Sequence, residues 1–451
     1  MLDFKELALK YKDEAIATLK DLIRCESVLT KFDPKSDAPF GEGNKKALDF
    51  ALTKAQSFGF DSKNVDNYAG HIEYGNKDGE LLGILAHLDV VPANKSEWTC
   101  DPFDLTIKDG KMYGRGTTDD KGPLVSALYA LKLLKDNNIK LNKKVRLIMG
   151  CDEESGSRCL EHYFKEEEMP KLGFSPDAEY PVIYGEKAHA NYYLYLTDNE
   201  NIIKSFTSGT RFNIVPAEAK MTLNIDLKDK FLSYLKENNY EGEVSGDEYI
   251  TYGVASHAMI PEKGLNAAFI LLDFLAKNTD SKVAEYCVKY LTFDPFVKKL
   301  GIDITSSDMG SLTINCGTFN LKGNVLEIGL DFRIPEDNYA EVIDEHFNNT
   351  MSPYNFTFKK LGDTPIHYVN KDSFLVKTLT ESYASLTGDY TNKPFTIGGG
   401  TYAKFIKECV AFGPQRPGSP DLCHVADEYA LVDEFILNIA IYAKAIYELG
   451  K

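Results

Sequence analysis

The chain has 451 residues, with 68 Asp+Glu against 51 Lys+Arg and a formal net charge of −17. A hydrophobic share of 43% with 12% aromatics excludes wholesale disorder. The acidic balance argues against nucleic acid or an anionic membrane surface as the main partner, because both demand basic patches.

Eight cysteines, at positions 25, 100, 151, 159, 287, 316, 409 and 423, form no C-x-x-C pair and are too sparse for a disulfide scaffold. Reduced thiols in a cytoplasm fit best. The N-terminal segment MLDFKELALKYKDEAIATLKDLIRCES mixes acids into an amphipathic pattern, without the basic and apolar regions of a signal peptide. No apolar run approaches the roughly 20 residues needed to cross a bilayer. A cytoplasmic protein with no membrane partner is the expectation.

Taken in chain order, Leu7, Tyr11, Leu19, Leu22 and Ile23 mark an N-terminal helix, and Leu48, Leu52, Ala55 and Phe58 a second. Leu81-Leu82-Gly83-Ile84-Leu85-Ala86 is apolar without alternation, as in a strand buried on both faces. Leu124, Leu128, Leu131 and Leu134 give a helix, and Val145–Met149 the next strand. This strand–helix–strand spacing reads as an α/β unit. From about residue 190 strands dominate: Tyr192–Thr197, Ala219–Leu227, and a hairpin over Ser311–Arg333 turning near Lys322-Gly323. Helical patterns at Gly264–Lys277 and Tyr339–Asn348 are interleaved with them. The α/β signature returns near residue 373 and ends in the amphipathic segment Asp433–Leu449. The predicted architecture is an α/β domain over 1–189 and 373–451, interrupted by an inserted α+β domain over 190–372. Its sheet is expected to be mixed and largely parallel, with helices on both faces.

Five clusters carry candidate chemistry. His87-Leu88-Asp89 closes the first apolar strand. Chance supplies about one His-x-acid pair in this composition, and His71-Ile72-Glu73 is a second, so the pair alone decides nothing. Its place at the mouth of a buried strand, where α/β proteins bind ligands, distinguishes it. Asp119-Asp120 precedes a helix, and for an isolated Asp pair a solvated helix start is the better account. Glu153-Glu154 follows a buried strand, where like charges repel unless a cation or proton intervenes. By contrast, Glu166-Glu167-Glu168 lies in a polar helical stretch and reads as a solvated face. Asp177 and His424 lie in loops, where ordinary turn and structural roles compete. Together these carboxylates and imidazoles suit Zn²⁺, Mn²⁺ or Co²⁺ and not a thiolate-bound structural zinc.

The motifs H-x-D-V-V-P (87–92), Trp98 with Asp101-Pro102-Phe103, G-R-G-x-x-D-D-K-G (114–122) and D-E-E-S-G (152–156) then match a known pattern. The chain resembles the dinuclear-zinc peptidases of the aminoacylase and carnosinase superfamily. Arg211–Pro216, Ala255–Pro261, Leu330–Arg333 and Gly398–Ala403 are similar to its dipeptidase V branch, and the late His424 completes the match. The resemblance spans nearly the whole chain, in order.

It implies a catalytic domain with an inserted lid, two Zn²⁺ per subunit (Mn²⁺ or Co²⁺ as substitutes), and hydrolysis of unblocked dipeptides. Asp119 would bridge the metals, His87 and Asp177 would bind one, and Glu154 and His424 the other. Asp89 would accept a hydrogen bond from His87, and Glu153 would be the general base toward a water bridging the metals. The lid's His257 would stabilise the oxyanion. Arg333 would fork the substrate carboxylate, with Asn213, Gly399, Gly400 and Thr401 lining that pocket. The large lid implies that the histidine acts within one chain, hence an active monomer.

Three competitors stay open. An N-acyl-amino-acid deacylase or a carboxypeptidase shares the metal core, and a non-catalytic metal- or peptide-binding homologue would keep the scaffold. A dinuclear phosphatase or nuclease would need basic phosphate-binding clusters, which are lacking.

Overall fold

The computed structural model describes residues 2–335 and 339–451. The chain divides into two compact units. One comprises Met1–Gly185, Tyr368–Phe395 and Gly400–Lys451; the other comprises Glu186–His367 and Thr396–Gly399.

In the first unit, Leu81–His87 is buried along its whole length because both flanks and both faces are covered. The sheet runs Asp61–Val65, Ala69–Gly75, Lys144–Gly150, Leu81–His87, Leu172–Ser175, Cys409–Ala411, Ile183–Glu186. Its four central strands are parallel, and the outer pairings are antiparallel. The mixed sheet is thus parallel where the apolar runs are unbroken. Ala69–Gly75 and Asp61–Val65 form a hairpin whose edge strand is mostly exposed.

Helix Lys121–Asp136 is buried at nearly every position through Leu134, packed against the sheet and the C-terminal helix Val432–Gly450. The N-terminal stripe is two helices, Phe4–Leu9 and Lys12–Ile23. A turn at Lys10-Tyr11 separates them, with the Tyr11 amide donating to the Ala8 carbonyl at 3.0 Å.

The second unit is an antiparallel sheet with helices. Its order is Glu241–Ser245, Glu248–Tyr252, Glu218–Leu223, Ile203–Ser208, Thr313–Lys322, Val325–Ile334, Ala188–Thr197, Thr357–Thr364. Here burial alternates: Tyr192, Leu194 and Leu196 point into a core shared with helix Ala267–Asn278, while their neighbours are less buried. This period of two marks a sheet covered on one face. The strand expected over Ala219–Leu227 ends at Leu223, and Lys228 opens an unforeseen helix, Lys228–Asn238. Among the described residues no helix is long and apolar enough to cross a membrane.

Candidate metal centre

The parallel register of the first unit aligns the ends of three adjacent strands. His87 is paired with Gly150, and Ile84 with Phe174. The residues just past those strand ends, Asp89, Glu153-Glu154 and Asp177, therefore leave the sheet on one edge. Asp119 arrives from the turn before helix Lys121–Asp136, and His424 from the loop before strand Tyr429–Leu431.

Two triads result, and they share one residue. His87, Asp119 and Asp177 form the first; Asp119, Glu154 and His424 form the second. In each, the potential ligand atoms all lie within 4.8 Å of one another. His87 Nε2 is 3.0 Å from Asp119 Oδ1 and 3.6 Å from Asp177 Oδ2. His424 Nε2 is 3.1 Å from Asp119 Oδ2 and 3.0 Å from Glu154 Oε2. Asp119 thus presents one oxygen to each imidazole.

The ring orientation of His87 follows from its other nitrogen. Nδ1 lies 2.9 Å from the Asp89 carbonyl oxygen, a group that only accepts, so Nδ1 carries the proton and Nε2 offers a lone pair. The Asp89 carboxylate, expected to be the main partner of His87, is 3.4 Å from Nδ1. Its two oxygens accept the Glu153 and Glu154 amides, each at 3.0 Å. Asp89 therefore reaches both triads, through the His87 ring and through the turn carrying Glu154. The far side of that turn is held by Asp152, paired to Arg158 through two bonds of 2.7 Å.

The charges are incompatible with one another unless something positive sits among them. Burial first, then the Asp119 charge, raises Glu154 from 4.5 to about 7. Asp177, raised chiefly by burial and then by Asp119, rises from 3.8 to about 6 against the opposing pull of His87. Hydrogen bonds to Asp119 and Glu154 raise His424 from 6.5 to about 11. Burial pushes Asp119 up, but its bonds to His424 and His87 prevail and hold it below the usual carboxylate range. Lone-pair atoms about 3 Å apart need a proton or a cation between them. An O/N donor set of this kind fits a divalent borderline metal.

A pH prediction follows for the metal-free protein. Each of Glu154, Asp177 and His424 binds its proton more tightly folded than unfolded, so stability falls as pH rises through these windows. The metal-free melting temperature should decline from about pH 4 to about pH 11, the share of the two carboxyls, on the order of a few kcal/mol, being lost by about pH 7 and that of His424 above it. Added Zn²⁺ should reverse the slope, because the cation replaces the protons. A scanning-fluorimetry pH series checks this; a metal-free protein that gains stability with pH over this range contradicts the description.

The second unit holds the other predicted residues. His257 Nδ1 accepts the Met259 amide at 3.1 Å, so the neutral ring carries its proton on Nε2 as a donor. The Ala258 amide donates to the Asn213 carbonyl at 2.9 Å, and Ile214 bridges His257, which ties the two motif segments together. Gly398 and Gly399 pack on Met259: a Cβ on Gly399 would stand 2.9 Å from its sulfur. Arg333 is buried, and its Nε and Nη2 donate to the two oxygens of Asp331 at 2.6 and 2.8 Å. The fork expected for a substrate carboxylate is therefore occupied by Asp331. Nη1 donates to the Gly398 carbonyl at 2.8 Å. Thr401, in the first unit, caps a short 3₁₀ turn by accepting the Ala403 amide, and Gly400 precedes it.

Residues 83–448 match the family described as Peptidase family M20/M25/M40. The chain belongs to this family. Among its relatives, the "Putative dipeptidase YtjP" of Bacillus subtilis (strain 168) is 39% identical over 463 residues, covering 98% of both chains. The crystal structure of human carnosine dipeptidase 1 has a similar fold, with a TM-score of 0.62 at 17% identity over 99% of this chain and 98% of that one. So has the M20 metallo-carboxypeptidase Sso-CP2 of Sulfolobus solfataricus, with a TM-score of 0.59 at 20% identity over 97% and 99%. One fold thus serves a dipeptidase and a carboxypeptidase, and only the site can separate them.

Some residues of this family member that organise the site gave no local signal. Glu428 is fully buried against the loop that carries Asp119. Arg158 belongs to the same group, and Asp152, though it opens the D-E-E-S-G motif, had no role of its own read from the sequence. Each acts through bonds to backbone or to a neighbouring turn, so its residue type and spacing resemble those of any solvated charge.

Proposed function

We propose that this chain is a zinc-dependent dipeptidase acting on unblocked dipeptides, with Mn²⁺ or Co²⁺ able to substitute. The observation that supports it is the pair of triads sharing Asp119, with Glu153 beside the ligand Glu154, in a member of a peptidase family. His87, Asp119 and Asp177 would hold one cation, and Asp119, Glu154 and His424 the other. When bound, such ions supply Lewis acidity and lower the pKa of water.

The remaining chemistry falls to side chains. Glu153 takes the proton of the attacking water and later delivers it to the leaving amine. His257 donates its Nε2–H to the developing oxyanion. With its Nε edge held by Asp331 and its Nη1 by the Gly398 carbonyl and His189, Arg333 would meet the substrate carboxylate through its remaining Nη2 hydrogen, and Asn213, Gly399, Gly400 and Thr401 would bind substrate with it. A carboxylate held close to the scissile bond limits chain length on that side and favours dipeptides. The excess of carboxylates in the first unit suits a free substrate ammonium. Residues 1–189 with 373–451 form the catalytic domain in this reading, and residues 190–372 the lid. The chain works as a monomer in a cytoplasm.

Comparing a free dipeptide with its N-acetylated form, in metal-stripped and reconstituted protein, tests the reading. A hydrogen bond to a charged group contributes about 1.5–3 kcal/mol, so blocking the amine should lower kcat/KM by about tenfold or more. Stripped protein should be inactive and recover with Zn²⁺, Mn²⁺ or Co²⁺. Preference for the blocked compound would favour a deacylase, and turnover without metal would end the proposal.

A further inference from the structure

The two triads draw on sequence from both sides of the inserted unit. His87, Asp119, Glu154 and Asp177 precede it, and His424 follows it. The segment bearing His424 must therefore be brought into register with a loop some three hundred residues earlier, within about an ångström. Glu428, four residues past His424, provides a direct link between the two.

Its carboxylate is fully buried and surrounded by donors from the 115–119 loop. Oε2 accepts Arg115 Nη1 at 2.7 Å and the Gly116 amide at 3.1 Å. Oε1 also lies 3.1 Å from that amide, accepts the Thr118 amide at 2.8 Å and the Thr118 hydroxyl at 2.9 Å, and lies 3.4 Å from the Asp119 amide. The backbone closes the link from the other side: the Gly114 amide donates to the Glu428 carbonyl at 3.1 Å. One residue earlier, Asp427 Oδ1 accepts both the amide and the hydroxyl of Thr99, at 2.8 and 3.0 Å.

A buried ion pair is poor evidence of stabilisation, since desolvation offsets much of its attraction. The Arg115–Glu428 pair therefore needs a reason beyond stability, and the backbone bonds give one. They fix the main chain immediately before Asp119, and so fix where its two carboxylate oxygens stand relative to His424. We infer that Glu428 is a positioning residue that assembles the Asp119–Glu154–His424 triad. The inference rests on the reading above that these residues hold cations.

Cobalt titration of the metal-stripped protein, followed by visible absorption, separates the possibilities. The wild type should take up two equivalents. Glu428→Gln presents an amide N–H where the loop offers donors. Glu428→Asp keeps the charge for Arg115 but is one methylene too short to reach the loop amides. Because Asp119 stands in both triads, the first equivalent should weaken too, but less than the second, whose site also loses the registration of His424. Both variants should bind the second about 10–100-fold more weakly, with altered absorption bands, as loss of an outer partner of a ligand does.

The melting temperature of each metal-free variant reports folding independently. If Glu428→Asp titrates like the wild type, charge neutralisation of Arg115 is the whole role and the inference fails. Should Glu428→Gln not fold, Glu428→Asp alone decides. Two normal equivalents in both variants also overturn it. A wild type that takes up fewer than two equivalents would instead sink the functional reading, and the inference with it.

Discussion

Asp119→Ala is expected to remove both cations together, and peptide hydrolysis with them. No other single ligand should do this, because Asp119 alone stands in both triads. Its Oδ1 faces His87 at 3.0 Å and its Oδ2 faces His424 at 3.1 Å, so each oxygen serves one imidazole. Losing an outer partner of a ligand costs roughly 10–100-fold in affinity, and losing the shared ligand should exceed that at each site. Turnover should fall by more than the 10²–10⁴-fold that attaches to a single acid–base group. Asp177→Ala and His424→Ala serve as contrasts, each emptying one triad. Calorimetric stoichiometry decides: two cations for the wild type, about one tightly held for each contrast, none for Asp119→Ala. An Asp119→Ala protein that keeps one cation at wild-type affinity would show that the triads are independent.

Much of the fold is legible wherever burial imposes a pattern. Leu81–His87 has no alternation because neighbours cover both its faces, and Tyr192–Leu196 alternates because its sheet is covered on one. The hairpin turning at Gly323 is readable from its glycine, which adopts a left-handed φ of 65°. What escapes is structure set by short or polar segments. Helix Lys228–Asn238 follows a strand, and five of its eleven residues are charged, so its apolar residues are too few to outweigh strand propensity nearby. The hairpin Glu241–Ser245 with Glu248–Tyr252 is likewise polar on one strand.

The site divides along the same line. Carboxylates and imidazoles that end buried strands stand out, because a charge there needs a partner. Glu428 does not, since nothing near it in sequence separates it from the other acids of the chain. Its value lies in bonds to amides that only the fold brings close. Arg333 is the reverse case. Asp331 precedes it by two residues on one strand, which puts both side chains on the same face and lets Asp331 take the guanidinium fork. That spacing is visible in the sequence, yet a substrate carboxylate and a neighbouring one are equally good partners on paper.

Glu153→Gln is expected to lower kcat by about 10²–10⁴-fold while both cations bind nearly as in the wild type. The two halves of this expectation come from different features. Glu153 belongs to neither triad, so the amide should leave metal binding intact. Its backbone is held by Asp89 at 3.0 Å, on a turn anchored by the Asp152–Arg158 pair, so the substituted side chain keeps its place. Burial, then the nearby Asp177 charge, raises the Glu153 pKa well above the usual glutamate range. Unchanged turnover would remove Glu153 as the base, and loss of metal would recast it as a ligand. Mixing Glu153→Gln with His257→Ala extends the test to assembly. If each chain is complete in itself, the mixture shows no more activity than the two variants apart. Activity above that sum would mean that the histidine serves a neighbouring chain, and the enzyme would then require at least a dimer.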